Sequence, residues 1–178
     1  MHLALRLAAS RLAASAWLCC AALASAQESV APNPAIDAAA YLRIASDALL
    51  YRETHRLSEQ QFIRLSREPG TVVLDARSKQ KYDLLHVKGA LSLSFPDIAV
   101  ASVEQLLPDR QTRILIYCNN NFSNAEDPFP SKLPSASLNL STYVALYDYG
   151  YRNVYELGPL IDARTTRIPF ESSATGAR

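Results

Sequence analysis

Apolar and polar positions along the chain change period several times, and each change marks an element. Over residues 36–53, Tyr41, Leu42, Ala45, Ala48 and Leu49 fall on one helical stripe, with Asp37 placed to cap the first turn. Ser58-Glu59-Gln60-Gln61 has the form of a capping box and predicts a second helix to about Arg67, stopped by Pro69-Gly70. Thr71–Asp75 and Arg113–Tyr117 are short apolar runs rich in β-branched residues. Such runs predict strands buried on both faces, as in a parallel sheet. Residues 90–95 are a weaker strand candidate, and residues 97–107 a short helix ended by Pro108-Asp109. Residues 119–137, rich in Asn, Pro and Ser, read as loop. Residues 138–149 read as helix ended by Gly150, and residues 153–157 as another strand. A polar linker (27–35) and a polar tail (171–178), expected to be disordered, flank this pattern. Strands alternating with helices predict an α/β domain with a parallel sheet, in which sites lie beyond the carboxyl ends of the strands. Cys118 stands at one such end.

Composition becomes informative once the first residues are set apart. The chain has 178 residues and a formal net charge of +1, enough for one domain and no field for a nucleic-acid backbone. Met1 to Arg11 carries Arg6 and Arg11 and no acid, and an uncharged run through Trp17 and Leu23 ends at Ala24-Ser25-Ala26. This is the layout of a secretory leader cleaved after Ala26, too short to span a bilayer. Cys19 and Cys20 do not follow a small residue suited to lipid attachment. Cleavage would shift the charge to −1 and remove two of the three cysteines, leaving Cys118 with His55 and His86. A periplasmic or secreted product is expected, with no membrane span after cleavage. A lone exported Cys closes no internal disulfide; its thiol is buried, paired between chains, or reactive.

Three stretches in order resemble one family. They are Val73-Leu-Asp75-Ala-Arg77 with Tyr82 and His86-Val-Lys-Gly89-Ala90; Leu106-Leu-Pro108-Asp109 leading into Ile114 to Cys118; and Gly150-Tyr-Arg-Asn153-Val154-Tyr-Glu-Leu157. This pattern is similar to the rhodanese-like (sulfurtransferase) domain. The resemblance implies a three-layer α/β/α fold around a central parallel sheet over residues 57–170, with residues 27–56 as linker and N-terminal helical arm. It implies that Cys118 is a nucleophile that accepts a sulfane sulfur from thiosulfate or a mercapto acid, becomes a persulfide, and passes the sulfur to a thiol. The backbone amides of Asn119, Asn120, Asn121, Phe122 and Ser123 are then candidates for an anion-binding cradle. Asp75, Arg77, His86 and Gly89 are expected to be structural parts of the motif.

The chain also departs from that family. The loop after Cys118 has neither Gly nor cation, and Ser123 stands where the related cysteine phosphatases need an arginine, so phosphatase chemistry is not expected. An insertion, about residues 124–137, separates the nucleophile position from its helix, and Lys132 is its one cation, a candidate substrate contact. Long loops of this kind inside a domain are functional or disordered. No cluster has metal-ligand spacing, and no metal or cofactor is expected. A monomer is expected, serving a small sulfur donor and a thiol acceptor, which could be a protein. Two other classes stay open: a rhodanese-fold binding or sensing module using the long loop, and a mixed disulfide through Cys118.

Overall fold

The computed structural model describes residues 30–173; the expected leader lies outside them. The chain divides into Met1–Ile36 and Asp37–Arg178. In the first unit the described residues form a turn in which Ile36 N–H donates to the Asn33 carbonyl at 3.1 Å.

Strand β5 (Arg113–Tyr117) lies at the centre of the fold, with Ile114, Leu115 and Ile116 at most 1% exposed. Burial on both faces requires a strand that pairs on both edges and is covered by helices on both sides. β5 accordingly pairs in parallel with β2 (Thr71–Asp75) and with β7 (Val154–Leu157). β1 (Arg56–Leu57) extends the sheet beyond β7, and β4 (Leu91–Ser92) extends it beyond β2. The result is a five-stranded parallel sheet in the order β1-β7-β5-β2-β4.

Side-chain alternation divides the core. Val73, Leu115 and Tyr117 face one layer, where Phe62 of α2 (Glu59–Ser66) and Phe122 pack. Leu74, Ile114, Ile116 and Val154 face the other. There they meet Ala48 of α1 (Ala38–Arg52), Val103 of α4 (Val100–Leu106), and Tyr143 and Leu146 of α5 (Leu138–Asp148). This is the expected three-layer α/β/α arrangement, with α1 as a covering helix of the second layer. The helix starts follow from local chemistry. Asp37 accepts from the Ala40 amide at 2.8 Å. Ser58 and Gln61 form the capping box, at 3.3 and 2.9 Å. Gly150 ends α5 at φ +90°, a conformation that favours glycine.

Several short elements have no counterpart in the sequence reading. α3 (Lys79–Leu84) follows β2. β3 (His86–Val87) pairs antiparallel with β9 (Phe170–Glu171). β6 (Phe122–Ser123) pairs in parallel with β8 (Ile161–Asp162). Glu171, assigned by the sequence to a disordered tail, is therefore strand, and Ser173 N–H donates to the Asp83 carbonyl at 3.0 Å. Its acid side chain finds donors that the local sequence does not reveal. Among the described residues, no helix is long and apolar enough to cross a membrane.

Candidate functional site

Cys118 follows the last residue of β5 and is 1% exposed. Asn119–Asn121 then make a single 3-10 turn before β6. The Cys118 Sγ lies 3.3 Å from the Ser137 hydroxyl oxygen. Ser137 immediately precedes α5 and makes no side-chain capping bond, so its hydroxyl serves the thiol. The start of α5 also presents the positive end of a helix to any negative charge on that sulfur.

The turn is held by the side chain of Asn121. Its Oδ1 accepts from Cys118 N–H at 2.8 Å and from Asn139 Nδ2 at 3.0 Å. Its Nδ2 donates to the Leu157 carbonyl at 2.6 Å and the Pro159 carbonyl at 3.2 Å. One amide group thereby ties the ends of β5 and β7 to α5. The expected backbone cradle is corrected in part. The Asn121 amide donates to the Cys118 carbonyl, and the Phe122 amide to that of Asn119, so both are consumed in closing the turn. Ser123 belongs to β6, and Asn120 uses its side chain to hold the Lys132 backbone, at 2.8 and 3.2 Å.

A cleft of about 340 Å³ opens onto Cys118. Asn120, Asn121, Ser137 and Asn139 line it, and so do Arg52 and Glu156. Glu156 lies in register with Ile116 of β5 and is 2% exposed. A carboxylate buried there needs partners. Arg52, at the end of α1, supplies them: Nε donates at 2.7 Å, Nη2 closes the fork, and Arg56 Nε lies at 3.4 Å. The cation of this cleft is therefore Arg52, from the N-terminal helix. Lys132, the candidate from the insertion, lines a different cavity together with Asn119.

The remaining motif residues build a frame beside the site. Asp75 and Arg77 are 0% and 1% exposed and form a forked ion pair, with Nε at 2.9 Å from Oδ1 and Nη2 at 2.6 Å from Oδ2. Arg77 also donates to the carbonyls of Leu85 and Pro128, both at 2.7 Å, and its guanidinium lies 4.2 Å from the Phe129 ring centre. Burial opposes the Arg77 charge, but the bonded Asp75 carboxylate overrides it and raises the Arg77 pKa. Tyr117 donates to the same carboxylate, and burial, then the Asp75 charge, pushes its phenol well above the ordinary range, so it remains a neutral donor. Phe129, within the insertion, is 1% exposed and packs on Phe122. The insertion is thus bound to the core and to Arg77. His86 is stacked on Tyr82, with Nδ1 2.7 Å from the Tyr82 carbonyl. Gly89 turns at φ +77° and donates to Glu171 at 2.8 Å. Among the described residues no group of side chains could hold a metal ion.

Sequence reasoning missed Ser137, Asn139, Arg52 and Glu156. Glu156 carried a signal, being an acid within the apolar strand Val154–Leu157. Ser137 and Arg52 carried none, because only the fold brings them to Cys118.

The model of the rhodanese-like domain matches residues 58–157. Among solved structures, the chain is similar to a rhodanese-like domain from Anabaena, at 20% identity and TM-score 0.47, over 70% of this chain and 86% of that one. It is similar to a thiosulfate sulfurtransferase from Pseudomonas aeruginosa, at 21% identity and TM-score 0.49, over 74% of this chain and 23% of that one. A rhodanese with anions from E. coli shares 19% identity at TM-score 0.40, over 57% of this chain and 98% of that one. No curated protein matches the chain.

Proposed function

The chain belongs to the rhodanese-like domain family, and from that membership we propose that it is an exported sulfurtransferase with Cys118 as nucleophile. The observation that carries the reading is the placement of the Cys118 thiol at the end of the central strand, 3.3 Å from the Ser137 hydroxyl and on the wall of a cleft. The Cys118 thiolate attacks the outer sulfur of thiosulfate, or the sulfur of a mercapto acid. A sulfur–sulfur bond forms to Cys118 as the donor's bond to that sulfur breaks. Sulfite, or the desulfurised acid as its enolate, leaves with the electron pair. A thiolate acceptor then attacks the outer sulfur of the persulfide, and the Cys118 thiolate departs. No external oxidant or reductant enters either step.

Arg52 and Asn139 lie where an anionic donor would enter, and two of the five N–H donors of Arg52 remain after its bonds to Glu156 and Glu53. The test is to incubate the purified protein with thiosulfate or mercaptopyruvate and weigh it intact. One added sulfur atom is expected, and none in Cys118→Ser. No added sulfur with either donor, together with turnover unchanged in Cys118→Ser, would sink the proposal. A module that binds without turnover is the second reading. It draws on the commitment of the Asn121 and Phe122 amides to the turn and on the near-complete burial of Cys118. Removal of the insertion would then abolish partner capture while sulfur loading is absent from the parent as well.

A further inference from the structure

Ser137 is the last residue of the insertion and the residue before α5. A serine there ordinarily turns its oxygen to the first free amides of the helix. Ser137 makes no such bond. Its main chain is fixed without the hydroxyl: its N–H donates to the Pro134 carbonyl at 3.3 Å, and its carbonyl accepts from Leu140 N–H at 3.1 Å. A 3-10 turn, Pro134–Ala136, and the two bonds between Asn120 and Lys132 set the approach of this segment. The hydroxyl is left for Cys118 Sγ, at 3.3 Å. Ser137 is half-buried on the cleft wall, and Cys118 is 1% exposed. The amides of Asn121 and Phe122 close the turn and are not free for the sulfur. A charge formed at so enclosed an atom needs a donor.

We propose that Ser137 is a catalytic hydrogen-bond donor to the Cys118 sulfur, carried in by the insertion, and that it acts chiefly as Cys118 leaves the persulfide. The inference rests on sulfur transfer at Cys118. A hydroxyl has one donor and two lone pairs, and it rotates. It accepts from the S–H of the resting thiol and donates to the thiolate, so one atom serves both states. Ser137 gives up no proton; the thiol proton goes to solvent. During loading, negative charge passes from Cys118 Sγ to the departing sulfite. During discharge, the acceptor thiolate attacks the outer sulfur and the sulfur–sulfur bond breaks. The electron pair and the charge then return to Cys118 Sγ. A donor already aimed at that atom stabilises the charge without reorganisation. In loading the same bond works two ways, raising the thiolate fraction while lowering the thiolate's nucleophilicity. Discharge is therefore the step that depends most on Ser137. Arg52 and Glu156, the charged groups on this cleft, are bonded to each other and are left in place by a change at 137.

Parent, Ser137→Ala and Ser137→Thr are compared at neutral pH. Alkylation of Cys118 by iodoacetamide is read on its own peptide by mass spectrometry. It should slow about threefold in Ser137→Ala, a roughly tenfold loss of thiolate offset in part by nucleophilicity. Ser137→Thr should restore it. Removing the oxygen widens the cleft, so a serine that merely walls the site predicts faster alkylation. Thermal unfolding should stay at the parent's midpoint in Ser137→Ala, because no helix cap is lost. In proteins loaded from thiosulfate, discharge to 2-mercaptoethanol should slow about tenfold in Ser137→Ala. Alkylation of Ser137→Ala as fast as the parent's or faster overturns the proposal. Equal slowing in Ser137→Thr, or discharge at the parental rate, does the same. Absence of loading in all three chains overturns the transferase reading and the discharge role with it. Alkylation needs no sulfur donor, so its slowing would then still identify Ser137 as the donor to this thiol.

Discussion

Glu156 is a carboxylate inside a parallel sheet, and two arginines decide whether that position is tolerable. Arg52 binds it through a fork with its side chain 15% exposed, while Arg56, 44% exposed, approaches to 3.4 Å. Most of the compensation therefore comes from Arg52. Arg52→Ala should destabilise by about 3 kcal/mol, the scale for removing one partner of a buried pair, measured by urea unfolding. Arg52→Gln combined with Glu156→Gln should lose less than Arg52→Gln alone, because no uncompensated charge is left. A larger loss in the double variant would show that the pair is not coupled. Asp75 and Arg77 obey the same rule with more partners, and these two were legible in the sequence through their motif. Glu156 and Arg52 were not paired there, since they are 104 positions apart.

The β3–β9 pair shows what sequence pattern does and does not reveal. Strands of five residues with continuous apolar character, β2 and β5, were readable to the residue. Strands of two residues have no period to read, and their existence depends on a partner far along the chain. α3 was missed for a related reason: it has six residues and buries none of them, so no apolar stripe marks it. The tail was read as polar and unstructured, yet Glu171 accepts from Gly89 N–H and reaches His86 at 3.5 Å. The Gly89 bond, and then the His86 and Lys88 charges, hold the Glu171 carboxyl below its ordinary value. A carboxyl with a lowered folded-state pKa stabilises fully above its unfolded value and loses this as pH falls through the folded one. Glu171→Gln should therefore reduce stability near neutral pH and flatten its decline on acidification below about pH 4. Thermal unfolding across that range checks it, and an unchanged acid slope would count against a clamp at β9.

Composition identified the insertion as loop but could not show how firmly it is held. Phe129 fills the first core layer, Pro128 accepts from Arg77, and Asp127 pairs with Lys81. Asn, Pro and Ser set the backbone as irregular; a single aromatic residue and a distant arginine give it a fixed place. Phe129→Ala should cost about 3–5 kcal/mol and speed hydrogen exchange across residues 119–137. Exchange unchanged there would mean that the segment is held by other contacts. Much of the site proved illegible for the same reason. Cys118 could be found from its place at a strand end, whereas the side chains around it arrive from α1, from the end of the insertion and from β7.

The origin of Arg52 bears on how the protein can be divided. The residues matched by the family, 58–157, omit α1, β1, β8 and β9. A chain trimmed to that span keeps Cys118, Asn121 and Ser137 but abandons Glu156 without either arginine. It also uncovers the Ile114 and Ile116 layer where Ala48 had lain. The span that matches the family and the packed unit of this protein therefore have different borders. Excising the recognisable domain would keep the nucleophile and discard the helix that makes its surroundings electrically neutral.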